Sequence, residues 1–173
     1  LADINGWNIE FICADSMALD GIGDGAYDLV YTSNGVHVWI DDLSAMYRNF
    51  HRVLRPGGRY VMFEVHPMNR PFDDSTEVIR IKKPYDEIVV SGDPVNYHWR
   101  IRDLANNLLR QDFVIERVEE FYTEARSLLA LWWYDTPAEA EADGYQKLDW
   151  KQNPWAALPQ WIGFSAKKGG MKA

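Results

Sequence analysis

Three short apolar runs of this sequence end in residues that can bind or activate a small molecule. Asp15 and Ser16 follow "IEFICA". Ser33 is the last residue of "YDLVYTS" and is followed by Asn34 and Gly35, and Glu64 and His66 lie at the end of "RYVMFEV" and just after it. Carboxylates and amides form hydrogen bonds with polar ligand groups, and histidine titrates near neutral pH, where it can accept a proton. If the runs are strands of one open parallel sheet, these residues share the carboxyl edge, where such sheets bind ligands.

The runs alternate with helical patterns, which is typical of an α/β fold with helices covering a mostly parallel sheet. We predict strands at 9–14, 27–33 and 59–65, and the first two are expected to be buried on both faces. Between Asp42 and Leu54 apolar residues recur every three or four positions, which predicts an amphipathic helix. The helix is expected to end at "RPGG", because proline cannot continue a helix and glycine can cap it.

The second half is predicted to complete a single domain that spans 1–173. The region from about 68 to 100 reads as an irregular insertion or lid with two short strands, "EVIRI" and "DEIVV". The predicted elements after it are a helix at about 102–111, a half-exposed strand at 113–121, a helix through "EARSLLALWWY", an acidic turn "PAEAEADGY", a Trp-rich loop up to 160 and a last strand at 161–168.

Composition excludes several classes of protein. The 18 Lys and Arg against 26 Asp and Glu give a net charge of -8, which argues against a nucleic-acid or anionic membrane partner. No run approaches the roughly 20 apolar residues of a membrane span. The single cysteine, Cys13, rules out a disulfide framework, so we expect a cytoplasmic protein in which Cys13 is a small buried hydrophobe. The glycines of "GIGDG" precede a strand instead of following one, so they are interpreted as a surface turn.

Together these motifs resemble the later part of a class I S-adenosylmethionine-dependent methyltransferase domain. The similar features are the acid after "IEFICA", "DLV" in the second run, "LRPGG" at the helix end, and the strand that follows. The resemblance is good from Ile9 to Pro67 and looser from there on. It implies a Rossmann-like sheet, mostly parallel with an antiparallel last strand. The pieces "GVHVWIDD" and "EVHP" suggest a branch of small-molecule methyltransferases.

The resemblance also implies roles for individual residues. Asp15 matches the acid that accepts a hydrogen bond from the adenine amino group of the cofactor, S-adenosylmethionine, although a local cap is the alternative for this residue. Ser16 and Met17 match positions beside the adenine ring. The segment of Asn34, Gly35 and Val36 matches the one near the methionine part and the methyl group. No metal site is assigned.

Methyl transfer to a small acceptor needs mainly oriented reactants, which are worth about 7 to 11 kcal/mol, so a general base is optional. His66 and His37 are the candidate bases, with packing at a strand end or helix start as the alternative for both. Glu64 is expected either to orient a base or to satisfy backbone donors. His98 is expected to be a cap or packing residue. The eight tryptophans are interpreted as core packing, with a lid over the acceptor as the alternative.

One departure from the family pattern is large. The glycine-rich loop after the family's first strand, and the acid after its second, do not occur in this sequence. We consider three explanations: a fragment of a longer enzyme, a short protein whose sheet is completed by a homo-oligomer or by a separate N-terminal segment, and a chain in which "IEFICA" pairs with "YDLVYTS". The functional alternatives to a methyltransferase are a non-catalytic binding or assembly module and, more weakly, another nucleotide-binding α/β enzyme.

Overall fold

The computed structural model describes residues 2–73, 78–125 and 133–170 of the chain. Its helices are α1 (Ala2–Asn5), α2 (Leu43–Val53), α3 (Ile101–Arg110) and α4 (Pro137–Ala142). Its strands are β1 (Tyr27–Ser33), β2 (Leu54–Val65), β3 (Val89–Val90), β4 (Asn96–Tyr97), β5 (Phe113–Phe121) and β6 (Trp161–Lys168). Single turns of 3-10 helix occur at His37–Trp39, Pro67–Asn69, Gln146–Leu148 and Pro154–Ala157.

Four strands form one sheet in the order β1-β2-β6-β5. β1 and β2 are parallel, whereas β6 is antiparallel to both of its neighbours, β2 and β5. Three strands therefore point one way and the last strand points the other. The α/β class and the mostly parallel sheet with an antiparallel last strand are confirmed.

The core lies between this sheet and α2 and α3. The predicted amphipathic face of α2 is buried, from Leu43 through Met46, Tyr47 and Phe50 to Val53. Asp42 caps the first turn by accepting a hydrogen bond from the Ala45 amide at 2.9 Å. The helix prediction is therefore confirmed, because the apolar stripe has a sheet to pack against.

The "RPGG" segment differs from the prediction of a glycine cap. α2 ends at Val53, and β2 begins at once with Leu54, which pairs with Tyr27. The next pairing joins Arg59 to Leu29, so the four residues 55–58 lie opposite the single residue Asp28. A side chain at Gly58 would come within 3.0 Å of the Arg55 carbonyl oxygen. Glycine is thus required there by a bulge in the sheet.

The prediction of a first strand at "IEFICA" is wrong. Residues 7–15 lie outside any helix or strand, and Ile9, Phe11 and Ile12 are 50%, 81% and 51% exposed. A strand needs a neighbour to take its backbone hydrogen bonds, and no described strand pairs with this run. The expectation that Cys13 is buried is wrong for the same reason, since Cys13 is exposed.

β1 is correspondingly an edge strand among the described residues. It pairs only with β2, and Leu29 and Tyr31 are 53% and 57% exposed, although burial on both faces was expected. The sheet face opposite α2 and α3 carries a shallow groove of about 300 Å³ lined by Tyr31, Val61 and Phe121, among others.

Two further expectations need correction. "PAEAEADGY" is mostly a helix, α4, because Thr136 caps it and Pro137 suits its first position, and not a turn. In the insertion, "DEIVV" forms only the two-residue β3, and the described part of "EVIRI" contributes one bridge, from Ile81 to Phe72. Most of the helix predicted through "EARSLLALWWY" lies outside the described residues.

Candidate active site

The connection that leaves β1 at its carboxyl end has an unusual backbone. Asn34 and Gly35 both adopt positive φ angles, +29° and +90°. The Asn34 amide donates to the Phe63 carbonyl oxygen of β2 at 2.8 Å, which extends the strand pairing by one residue. A Cβ atom at Gly35 would meet no other atom within 4 Å, and Asn34 is exposed. The outer side of this connection is therefore open to a ligand, with the Gly35 backbone directly accessible.

Glu64 holds the same connection from inside. Its Oε1 accepts hydrogen bonds from the amides of Gly35 at 2.8 Å and Val65 at 2.9 Å. Its Oε2 accepts from the His37 amide at 3.4 Å and lies 3.2 Å from His37 Nδ1. Burial by itself raises the pKa of Glu64, but the hydrogen bonds from His37, Gly35 and Val65 outweigh it and lower the pKa below its usual value. Glu64 is thus an ionised carboxylate that satisfies backbone donors.

His37 is at the centre of a buried chain of hydrogen bonds. Because a carboxylate only accepts, His37 Nδ1 carries the proton toward Glu64. The single lone pair of Nε2 faces two hydroxyls, that of Tyr47 at 3.0 Å and that of Tyr60 at 3.3 Å. The Tyr60 hydroxyl also bonds to Thr32 Oγ1 at 2.6 Å. Burial raises the pKa of both tyrosines, so their hydroxyls remain protonated. With both nitrogens engaged, His37 is well suited to orienting neighbours and poorly suited to accepting a proton.

His66 lies at the carboxyl end of β2 and is also engaged at both nitrogens. Nδ1 accepts from the Met68 amide at 3.2 Å, so the proton is on Nε2, which faces Glu120 Oε1 at 3.1 Å. Burial lowers the pKa of His66, and Glu120 partly offsets the effect. The ring is buried and neutral at pH 7, and neither nitrogen presents a free lone pair to an acceptor.

Asp15 to Met17 form a turn attached to α2. Asp15 Oδ1 accepts from the Met17 amide at 2.8 Å, and the carboxylate is exposed. The side chain thus closes a local turn, and the alternative of a helix cap does not apply, because residues 16–18 form a turn and not a helix. Asn49 of α2 donates to the Met17 carbonyl oxygen at 2.6 Å. Arg52 of α2 donates to the Leu19 and Ile22 carbonyl oxygens at 3.1 and 2.8 Å. The "GIGDG" segment is a turn, as predicted.

Replacing Arg52 with alanine is expected to loosen the segment from 18 to 25. The variant loses several hydrogen bonds to backbone carbonyls, each worth about 1 kcal/mol, so amide exchange there should accelerate about tenfold or more. Exchange followed by mass spectrometry measures the effect. Arg55→Ala is the matched control, because Arg55 forms an ion pair with Asp28 and both side chains are largely exposed. Equal acceleration in both variants would show that the hydrogen bonds of Arg52 do not hold the segment from 18 to 25.

The structure brings Gly35, His37 and Glu64 into direct contact. His66 bonds instead to Glu120, and the Asp15 turn is tied to α2. Sequence reasoning missed the contributions of Thr32, Tyr47, Tyr60, Asn49 and Arg52. Tyr47 was counted only in the apolar pattern of the helix and Tyr60 only as part of a strand, and no local pattern indicated that their hydroxyls meet His37. His98 was expected to be a cap or a packing residue. It is not the cap, because Arg100 is the N-cap of α3 and its amide donates to Asp103 Oδ2 at 3.2 Å. The buried Nδ1 of His98 agrees with the packing alternative.

The described residues fit the part of S-adenosylmethionine that the resemblance assigned to them. Asp15 offers an exposed carboxylate, and Gly35 offers an accessible backbone backed by buried hydrogen bonds.

None of the helices in the described part of the chain has the length and apolar character needed to cross a membrane.

Comparison with protein families finds one match, in which residues 2–62 fit the model of a methyltransferase domain. No curated protein sequence matches the chain. Among solved structures, an S-adenosylmethionine-dependent methyltransferase from Mesorhizobium loti is 24% identical, with a TM-score of 0.60, and the match covers 89% of this chain and 67% of that one.

Two other solved structures show how varied the chemistry of this fold is. The cyclase SpnF is 20% identical with a TM-score of 0.55, and the match covers 97% of this chain and 59% of that one. The geranyl diphosphate C-methyltransferase from Streptomyces coelicolor A3(2), in complex with Mg²⁺, geranyl diphosphate and S-adenosyl-L-homocysteine, is 13% identical with a TM-score of 0.55, covering 96% and 57%. At these identities the structural matches establish the fold, and a fold does not determine a reaction.

Proposed function

We infer from the class I S-adenosylmethionine-dependent methyltransferase fold of this chain that it takes part in methyl transfer to a small-molecule acceptor. The observation that carries the proposal is the carboxyl edge of β1 and β2. There the backbone of Gly35, which follows the exposed Asn34, is accessible from outside, and its amide donates to Glu64 on the inside. The net charge of -8 favours a small molecule over nucleic acid as the acceptor.

In this proposal the residues of the chain bind and orient. The cofactor supplies an activated methyl group on a sulfonium. Asp15 accepts a hydrogen bond from the adenine amino group, Ser16 and Met17 flank the ring, and Asn34 to Val36 lie along the methyl-donor end. Both ring nitrogens of His66 and of His37 are engaged in hydrogen bonds, so we assign the two histidines to orienting their neighbours. The proton of the acceptor is then transferred to water. Rate enhancement then comes mainly from positioning and exclusion of water.

Calorimetric titration of the folded 173-residue chain with S-adenosylhomocysteine tests the proposal. We expect saturable binding that Asp15→Ala weakens about 10- to 100-fold, since a hydrogen bond to a charged group is worth about 1.5 to 3 kcal/mol. Asp28→Ala is the control, because Asp28 is an exposed acid on β1 paired with Arg55, and its affinity should equal that of the wild type.

The second candidate function is a non-catalytic binding or assembly module. The exposed β1 edge and the open sheet face favour it, because such surfaces are suited to pairing with another polypeptide. Absence of binding by the folded chain would overturn the idea that it binds the cofactor by itself and would favour the module.

A further inference from the structure

We propose that Glu64 is a positioning residue, whose carboxylate holds the segment from Asn34 to His37 in the conformation that receives the methyl-donor end of the cofactor. The proposal rests on the proposed function for what the segment receives. The holding itself depends only on contacts within the chain.

Four hydrogen-bond donors converge on the buried carboxylate of Glu64. The Glu64 side chain is 4% exposed, and burying a charge costs several kcal/mol unless the charge is well paired. Three backbone amides and one imidazole nitrogen pair with it, and three of these four donors belong to Gly35 and His37. The carboxylate of β2 therefore acts mainly on the connection that follows β1.

The hydrogen bonds around Glu64 form a closed ring with the backbone of β1 and the residues that follow it. From Glu64 the ring passes to His37, then to the hydroxyl of Tyr60, and from there to Thr32 on β1, two residues before Asn34. β1 then leads back through Gly35 to Glu64. Both ends of the Asn34–His37 segment are thereby tied to β2.

The two sides of the Asn34–His37 segment have different surroundings. The inner side is engaged by Glu64, whereas a Cβ atom at Gly35 would meet nothing within 4 Å and Asn34 is exposed. Asn34 holds a positive φ that a non-glycine residue adopts at a cost, so the conformation needs outside support. A segment whose inner side is fixed by hydrogen bonds and whose outer side is accessible is preorganised for a ligand. Preorganisation lowers the entropic cost of binding.

Amide hydrogen exchange measured by NMR on the whole chain tests the proposal without any ligand. In the wild type, the amides of Gly35 and His37 should be protected as strongly as those of β2, although both residues lie outside the strands. In Glu64→Gln, which puts an NH₂ donor among the amide donors, exchange at these two amides should accelerate about 10- to 100-fold relative to β5. The matched control is Glu116→Gln, because Glu116 is a carboxylate of the same sheet that pairs with exposed Arg59.

The outcomes separate this proposal from the proposed function. Equal acceleration at every amide in Glu64→Gln means a general loss of stability and overturns the positioning role. If the variant does not fold, the wild type decides, since an unprotected Gly35 amide overturns the proposal and a protected one supports it. Weaker binding of S-adenosylhomocysteine by Glu64→Gln than by Glu116→Gln supports the role of the segment in ligand binding. If neither the wild type nor the variants bind S-adenosylhomocysteine, the proposed function fails. Exchange at the Gly35 amide still measures whether Glu64 holds the segment.

Discussion

Replacing His37 with leucine is expected to lower the free energy of unfolding by about 3 kcal/mol. Leucine fills a similar volume but leaves the buried Glu64 carboxylate without its imidazole partner, and removing one partner of a buried pair costs about 3 to 5 kcal/mol. The lower end applies because backbone amides still bond to Glu64. The Tyr47 hydroxyl loses an acceptor at the same time. Urea unfolding at pH 7.5 measures the change.

His51→Leu is the matched control for this prediction. His51 lies on α2 against the Phe113 ring, and among the described residues its buried Nε2 has no hydrogen-bond partner. The same substitution should cost only about 1 kcal/mol there, because His51 loses no more than one hydrogen bond, to the Gly169 backbone. Similar losses at the two positions would show that the network around His37 adds nothing beyond side-chain packing.

Lowering the pH from 7.5 toward 4 is expected to destabilise the chain, with His98 as the largest single contributor. Burial and the nearby charges of Arg70, Lys83 and Lys82 lower the pKa of His98 to about 4, against about 6.5 in an unfolded chain. Between these values the unfolded state binds more protons, so the stability that is complete above pH 6.5 is lost as the pH falls toward 4. The loss is about 2 to 3 kcal/mol after allowance for partial exposure.

Two variants test this pH dependence by urea unfolding at several pH values. His98→Gln cannot titrate, so its stability should fall less steeply between pH 6.5 and 4 than that of the wild type. Lys83→Gln removes one nearby positive charge and should flatten the curve in part. Burial also lowers the pKa of His66 and His51, so a smaller slope of the same sign remains in both variants. A His98→Gln curve parallel to that of the wild type would contradict the assignment.

The elements that the sequence predicted well are those whose pattern is local. The stripe of α2 and the alternation of β5 are set by residues a few positions apart, and β5 has the predicted bounds of 113–121. "IEFICA" has an equally good local pattern but no partner strand among the described residues, so it forms no strand and is exposed. Periodicity indicates a strand, and only pairing makes one.

The site shows the same division between local and long-range information. The sequence by itself determined the order of the elements, the polar residues at the ends of the runs, and the resemblance that assigned roles to Asp15 and Gly35. Only the tertiary structure decided that Glu64 meets Gly35 across 29 positions and that Tyr60 joins His37 to Thr32. The physical reason is that side-chain periodicity follows from backbone geometry over a few residues. The hydrogen bonds between these distant residues exist only after β1 has paired with β2.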